Sequence, residues 1–135
     1  MSHRKIVRNS DVMTKKFVMV DGLHTVADAI ELASAQDVRV LLVNKRNEDD
    51  EFGMVLMSDI AKKVLAKDKA PERVNIYEIM IKPVLSVSPE MDVRYCARLF
   101  ERFRITKAPV IEAGEILGLV SYHDLVLKGM MAEKQ

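Results

Sequence analysis

Tryptophan is absent from this chain, cysteine occurs once, and aromatic residues make up only 5% of it. The single cysteine, Cys96, excludes an internal disulfide and fits a reducing cytoplasm. No apolar run approaches the ~20 residues of a membrane span. The opening Met1-Ser2-His3-Arg4-Lys5 lacks the apolar stretch of a secretory signal. Charge of one sign is missing too: 21 basic against 20 acidic side chains leave no overall basic field to recruit nucleic acid. No Walker or G-x-G-x-x-G loop is present. His3, His24 and His123 show no metal-ligand spacing with one another, and Cys96 falls on an apolar helix face. An enzyme reading therefore lacks its inventory. His123 stands beside Asp124 and could serve as a base, but an exposed turn histidine or a phosphate contact is the simpler reading.

What is present is ordinary globular material, 49% hydrophobic and 30% charged. A chain of 135 residues makes one compact domain, or two half-domains that cannot easily stand apart. It can bury roughly two-thirds of its unfolded surface. Nine methionines against three tyrosines read as adaptable core filler, with a Met-rich contact face as the alternative.

The chain contains itself twice. Met13 over Met80 sets an offset of 80 − 13 = 67, and Val12-Met13-Thr14-Lys15 then covers Ile79-Met80-Ile81-Lys82. Further on, Gly53-Met54-Val55 covers Gly118-Leu119-Val120 and Ser58-Asp59-Ile60 covers His123-Asp124-Leu125, at an offset of 65. The slip falls in a loop, Asn44 to Phe52 against Ile111 to Leu117. A period this long suits a small α/β unit, not a solenoid repeat. Two such halves predict paired sites, though not necessarily equal ones.

Each copy reads as strand, helix, strand, strand, helix. Phe17–Val20 and Val84–Val87 are short apolar runs of strand type, each followed by a turn. Thr25 with Asp28 resembles a capping box, with Val26, Ile30 and Ala33 on one face. Asp92 caps the matching helix, whose stripe is Val93, Cys96, Ala97, Phe100 and Phe103. Val40–Val43 and Ala108–Ile111 are buried strands, Met54–Leu56 and Ile116–Val120 their hairpin partners. The closing helices start near Asp59 and Asp124 and carry Ile60, Val64 and Leu65, or Leu125, Val126 and Met130. The organisation is an N-terminal arm over residues 1–9, repeats over 10–66 and 75–131, and a charged linker over 67–74. The arm, with His3, Arg4, Lys5 and Arg8, reads as solvated, a partner-docking or phosphate-touching arm being the sharper option.

Both copies place a glycine, two apolar residues and, further on, an aspartate at the junction of hairpin and closing helix. In Gly118-Leu119-Val120-Ser121-Tyr122-His123-Asp124 the glycine lets a ligand or a neighbouring backbone approach closely. The helix start offers free N–H groups to an anion such as phosphate. Ser121 adds a hydroxyl, and Asp124 can accept from vicinal hydroxyls, as ribose-binding acids do. Upstream, Thr106-Lys107-Ala108-Pro109 brings a hydroxyl and an ammonium to a strand edge that Pro109 leaves irregular, where a flat ring could be gripped. The plain structural alternative is that Asp124 caps a helix, Ser121 satisfies a turn and Lys107 ends a strand in solvent.

With its Val-Met-Thr opening, its Ala108-Pro109-Val110-Ile111 strand and its Gly118-to-Asp124 motif, the chain resembles a tandem pair of cystathionine β-synthase (CBS) domains, a Bateman module, over about residues 10 to 130. The resemblance implies an α/β (α+β) fold of two tandem β-α-β-β-α repeats packed about a pseudo-twofold axis. It implies a stand-alone cytoplasmic regulatory module with no catalytic cofactor. Such pairs bind AMP, ADP, ATP or S-adenosylmethionine in the cleft between copies. They regulate an enzyme, transporter or channel, here a separate client protein, and commonly dimerise through their helices. Carried over, Asp124 holds the ribose and Ser121 the ribose-phosphate end, with Thr106, Lys107, Ala108, Gly118 and His123 nearby. Ile81, Val84 and Pro109 sandwich the adenine. A weaker second site takes Thr14, Arg39, Leu42, Gly53, Ser58 and Asp59. There Leu56 stands in place of Ser121 and Leu42 in place of Pro109, so the two sites should be unequal.

Three alternatives stand beside this. A purely structural dimerisation module with decayed sites is one; Val64, Leu65, Val126 and Met130 are its candidate surface. A weak nucleic-acid binder is another, resting on Arg98, Arg102, Arg104 and Lys107. Stand-alone catalysis is the third, resting on His123 alone.

Overall fold

A computed structural model describes residues 5–134, so His3 and Arg4 of the N-terminal arm lie outside the described residues. In chain order the elements are α1 (Asn9–Val12), β1 (Val18–Val20), α2 (Val26–Gln36), β2 (Val40–Val43), β3 (Gly53–Leu56) and α3 (Met57–Ile60). The last of these widens into a π-helical turn, Ala61–Leu65, and 3-10 turns follow at Pro71–Arg73 and Ile76–Glu78. Then come α4 (Val93–Phe103), β4 (Lys107–Glu112), β5 (Glu115–Ser121), the π-helical stretch Asp124–Met130 and α5 (Met131–Glu133). The mixed α/β fold class is as the pattern predicts.

The chain divides into two compact units. One runs from Lys16 to Val84; the other combines the described residues up to Lys15 with those from Leu85 onward. The cut does not follow the internal repeat. Each repeat's lead-in segment (9–15 and 76–84) is built into the unit that holds the other repeat's glycine strand.

In the Lys16–Val84 unit, β1 pairs parallel with β2 and β2 antiparallel with β3, Val18 standing opposite Leu41 and Leu42 opposite Met54. Parallel neighbours need a crossover, which α2 supplies. Thr25 caps it as expected, its Oγ1 accepting from the Asp28 N–H at 3.1 Å. Asp37 closes it in the left-handed conformation. The buried stripe is Val26, Ala29 and Ala33; Ile30, expected on that face, sits on its flank and is exposed. These side chains, with Val20, Leu41, Val55, Ile76 and Ile79, form one core.

In the other unit, β4 and β5 make an antiparallel hairpin whose turn, Ala113-Gly114, has positive φ at both residues (52° and 78°), the geometry that matches the strands' twist. Asp92 caps α4 by accepting the Arg94 N–H at 2.9 Å. Val93, Cys96 and Phe100 are buried with Val7, Val12, Ala108, Val110, Val120 and Leu125. Phe103, assigned to the same stripe, is exposed at the helix end. Val84–Val87 does not form a strand. Val84 donates to the Phe52 carbonyl in the first unit, while only Val87 bridges to Val110 in the second, so the run is divided between the two units.

Candidate functional site

The two motif glycines are packed against protein. A Cβ on Gly118 would stand 2.8 Å from the Met13 sulfur and 3.0 Å from the Thr14 carbonyl oxygen. A Cβ on Gly53 would meet the Met80 sulfur at 2.9 Å and the Ile81 oxygen at 3.3 Å. Of the two expected uses of this glycine, the close neighbour is backbone and a methionine. Thr14 and Leu119 exchange both backbone hydrogen bonds (2.9 and 2.8 Å), and Ile81 and Met54 do the same (2.8 and 3.0 Å). Each lead-in thus adds itself to a glycine strand, and the methionine fills the gap that the missing side chain leaves.

Beyond Gly118 the strand runs into the closing helix, and here Ser121 and Asp124 meet. Asp124, only 5% exposed, accepts from the Ser121 N–H at 3.0 Å and the Ser121 hydroxyl at 2.9 Å, both at Oδ2. Its Oδ1 lies 3.4 Å from the Lys128 ammonium, which also donates to the Val12 carbonyl at 3.3 Å. A buried carboxylate needs such partners. The β4–β5 ladder sets Lys107 opposite Ser121, Ala108 opposite Val120, Pro109 opposite Leu119 and Val110 opposite Gly118. The Thr106 carbonyl accepts the Tyr122 N–H at 3.1 Å. Thr106, Lys107, Ala108, Pro109, Gly118, Ser121, His123 and Asp124 therefore gather at one end of one hairpin, Thr106 and His123 exposed and Ala108, Pro109 and Gly118 buried.

Pro109 does not leave an irregular edge. Its carbonyl accepts from Val87 at 3.0 Å, so the missing N–H points away from β5 and costs that ladder nothing. The ladder's irregularity lies one residue on, between Val110 and Ile111.

The lead-in exchange also fixes where the backbones of the outlying candidate residues bond. Ile81 and Val84, assigned to the Asp124 site, belong to the Lys16–Val84 unit, where they bond to Met54 and Phe52. Thr14, assigned to the Asp59 site, belongs with Leu119 and Asp124. The physical reason is strand addition: each lead-in satisfies its backbone on the far repeat's glycine strand. Met13 and Met80 stand at equal places before each repeat and each needs a gap to fill, but their sequence positions do not say which glycine strand supplies it.

In the Asp59 region the sequence differences become geometric ones. Asp59, half-buried, accepts the Leu56 N–H at 2.8 Å, and Leu56, which occupies the serine's place, has no hydroxyl to add to it. Leu42 is fully buried; Arg39 and Ser58 are exposed. Lys63, one repeat before Lys128, makes the matching lysine contact, donating at 3.1 Å to the carbonyl of Ile79, which stands one repeat after Val12.

The other candidates disperse. Arg98 lies over the Tyr95 ring at 5.1 Å, Arg102 over Phe103 at 5.9 Å, and Arg104 ends α4 in the left-handed conformation. The His24 Nδ1 accepts the Asp21 N–H at 2.9 Å. Among the described residues no group of three or more His, Cys, Asp or Glu side chains could hold a metal ion. No helix among them is long and apolar enough to cross a membrane.

Comparison with known proteins agrees with this architecture. The CBS-domain profile matches residues 10–66 and 76–129. A hexameric CBS-CP12 protein from bloom-forming cyanobacteria is 40% identical, with a TM-score of 0.90 over 96% of this chain and 75% of that one. The CBS domain-containing protein CBSX3, mitochondrial, of Arabidopsis thaliana is 28% identical over 127 residues, covering 87% of this chain. This chain spans 62% of that relative's length. The CBS domain pair of protein MJ0100, solved with 5′-methylthioadenosine and S-adenosyl-L-methionine, shares the fold at 21% identity and a TM-score of 0.78, with 97% of this chain and all of that one covered. The duplicated glycine strands, the exchanged lead-ins and the profile matches together make this chain a member of the CBS-domain family.

Proposed function

We propose that the chain is a regulatory module that binds an adenosine-containing ligand (AMP, ADP, ATP or S-adenosylmethionine) at the Ser121–Asp124 end of the β4–β5 hairpin. It acts in the cytoplasm and passes the bound state to a separate client protein. The observation that carries this reading is the Ser121–Asp124 pair itself, a buried carboxylate and a hydroxyl 2.9 Å apart at a strand-to-helix junction. A ribose offers two hydroxyl donors to such a carboxylate, while Thr106 and Lys107 supply a hydroxyl and a cation alongside. The complexes of MJ0100 with two adenosyl compounds support the ligand class.

One observation favours the competing reading, a dimerisation module without a ligand: Ser121 and Lys128 already engage both oxygens of Asp124. Melting curves with each of the four ligands at millimolar level separate the two. A ligand at ~100 times its dissociation constant stabilises the fold by about 2.7 kcal/mol. Calorimetry then compares variants. Asp124→Ala should abolish most binding, while Asp59→Ala should leave it largely intact, the missing hydroxyl at Leu56 being worth about ten-fold or more. Four unmoved melting curves would leave only the dimerisation module standing.

Homodimer formation belongs to the same proposal. Leu65, Val126 and Met130 stand 77%, 48% and 58% exposed on the closing helices, whereas Val64, grouped with them from sequence, is buried. Apolar surface of this kind is commonly covered by a two-fold partner. Light scattering at micromolar concentration reads the outcome; a species of 15.3 kDa alone would refute it.

A further inference from the structure

The two repeats part company at one loop. Where the second repeat turns in two residues, Ala113-Gly114, the first spends Asn44 to Phe52 and places Lys45, Arg46, Glu48, Asp49, Asp50 and Glu51 there. The loop folds around Asp50. Its side chain is 8% exposed and takes the Lys82 ammonium at 2.6 Å, the Arg46 N–H at 2.8 Å and the Arg46 Nε at 3.1 Å. A carboxylate enclosed by two cations is a weak source of stability, since desolvation offsets much of the attraction. What it does achieve is to hold two cations at fixed positions.

Those positions are the walls of a groove of about 850 Å³ at the C-terminal ends of β1 and β2, within the Lys16–Val84 unit. Lys45 also lines the groove, its ammonium 4.9 Å from the Phe52 ring centre and outside ion-pair distance of any carboxylate among the described residues. The lining also includes Tyr77, Leu23 and Met80, with Tyr77 53% and Leu23 80% exposed. His24, also in the lining, accepts the Asp21 N–H at Nδ1, which in the neutral ring leaves Nε2–H as a donor. The one carboxylate in the lining, Asp21, has its Oδ1 held by the Asn44 amide at 2.8 Å.

The shared fold does not require these groups. At an offset of 67, Lys45, Arg46, Asp21 and His24 fall on Glu112, Ala113, Ser88 and Met91 in the second repeat, which builds its hairpin without them. The groove is built within the Lys16–Val84 unit, from the first repeat's loop and the second repeat's lead-in, and that unit is the one whose family motif has lost its hydroxyl.

We propose that this groove binds a small organic phosphate carrying a flat apolar body, the phosphate among Lys45, Arg46 and Lys82 and the flat body against Tyr77 and Leu23. Lys45, Arg46 and Lys82 outnumber the neighbouring Asp50 and Asp21 by one, a net positive charge that attracts a group carrying close to two negative charges at neutral pH. A pocket of this size suits a ligand of drug-like dimensions. Exposed apolar side chains beside the cations select an anion with a ring over a bare ion.

The test is an amide NMR titration of the full chain with 4-methylumbelliferyl phosphate, and separately with inorganic phosphate and with 4-methylumbelliferone. The conjugate should shift Lys45, Arg46 and Tyr77 saturably, with half-saturation below ~1 mM, and bind at least ten-fold tighter than either fragment. Its affinity should fall as salt rises. Lys45→Glu should weaken it ten-fold or more and Tyr77→Ala several-fold, while Asp124→Ala leaves it unchanged. The proposal is overturned by an absence of saturable shifts at these residues, by shifts centred on Ser121–Asp124, by full affinity in Lys45→Glu, or by either fragment binding as tightly as the conjugate.

Discussion

The sulfur of Met13 occupies the space that a side chain on Gly118 would need, 2.8 Å from where its Cβ would stand. The Thr14 carbonyl closes the same space at 3.0 Å, and a backbone oxygen cannot swing away as a thioether can. Gly118→Ala should therefore destabilise the fold by about 1–3 kcal/mol, the usual cost of overpacking. Gly53→Ala should cost less, because its backbone neighbour, the Ile81 oxygen, stands at 3.3 Å and the closer contact is the flexible end of Met80. Urea midpoints for the two variants decide the order; equal losses would contradict it.

Lys63 and Lys128 make the same contact in the two units, to the carbonyls of Ile79 and Val12, but only Lys128 also faces an aspartate. Replacing either by Met removes one hydrogen bond, worth about 0.5–1.5 kcal/mol net. Lys128→Met additionally strips a cation from buried Asp124, so it should be the more damaging of the two. A double-mutant cycle with Asp124→Asn should show coupling for Lys128, while Lys63 with Asp59→Asn should show none.

Asp50 should contribute to the acid limb of the stability curve. The Lys82 ammonium first, then the Arg46 N–H, hold its carboxyl well below the usual carboxylate range. A group whose pKa is lower in the folded state stabilises the fold above its unfolded value, near 4, and that contribution is lost as pH falls below it. Unfolding midpoints measured from pH 7 to pH 2 should drop less steeply below pH ~4 in Asp50→Asn than in the wild type. An unchanged slope would show that the loop ion pairs carry no pH dependence.

Cys96 should be inert in the native state. Burial pushes its thiol up to about 11, against an opposing hydrogen bond from Asn9. Below its unfolded value the thiol is protonated in both states; as pH rises from there toward the folded value the fold loses stability, because only the unfolded chain gains the thiolate. At pH 8 the native thiolate fraction is on the order of one in a thousand. A disulfide exchange reagent should therefore label it at the rate of opening, and at once in denaturant. Rapid native labelling would mean that the α4 face is open.

Local chemistry determined much of this protein in advance. Caps at Thr25 and Asp92 follow from a side-chain oxygen two or three residues before an unsatisfied N–H, a relation contained within a single turn. Strand and helix order followed from apolar spacing, and the inequality of the two motifs from Leu56 standing where Ser121 stands. The meeting of Ser121 with Asp124 is likewise a three-residue relation at a helix start. Tertiary structure alone decided where the lead-ins go. Thr14 bonds to Leu119 and Ile81 to Met54, so each lead-in is satisfied on the other repeat's glycine strand. It also decided that Val84–Val87 splits between the two units, that Ile30 and Phe103 face outward, and that Asp50 draws Lys82 to a groove wall. These outcomes depend on which distant backbone satisfies a given N–H and which distant gap takes a given side chain, and no local pattern in a duplicated chain distinguishes one repeat's strand from the other's.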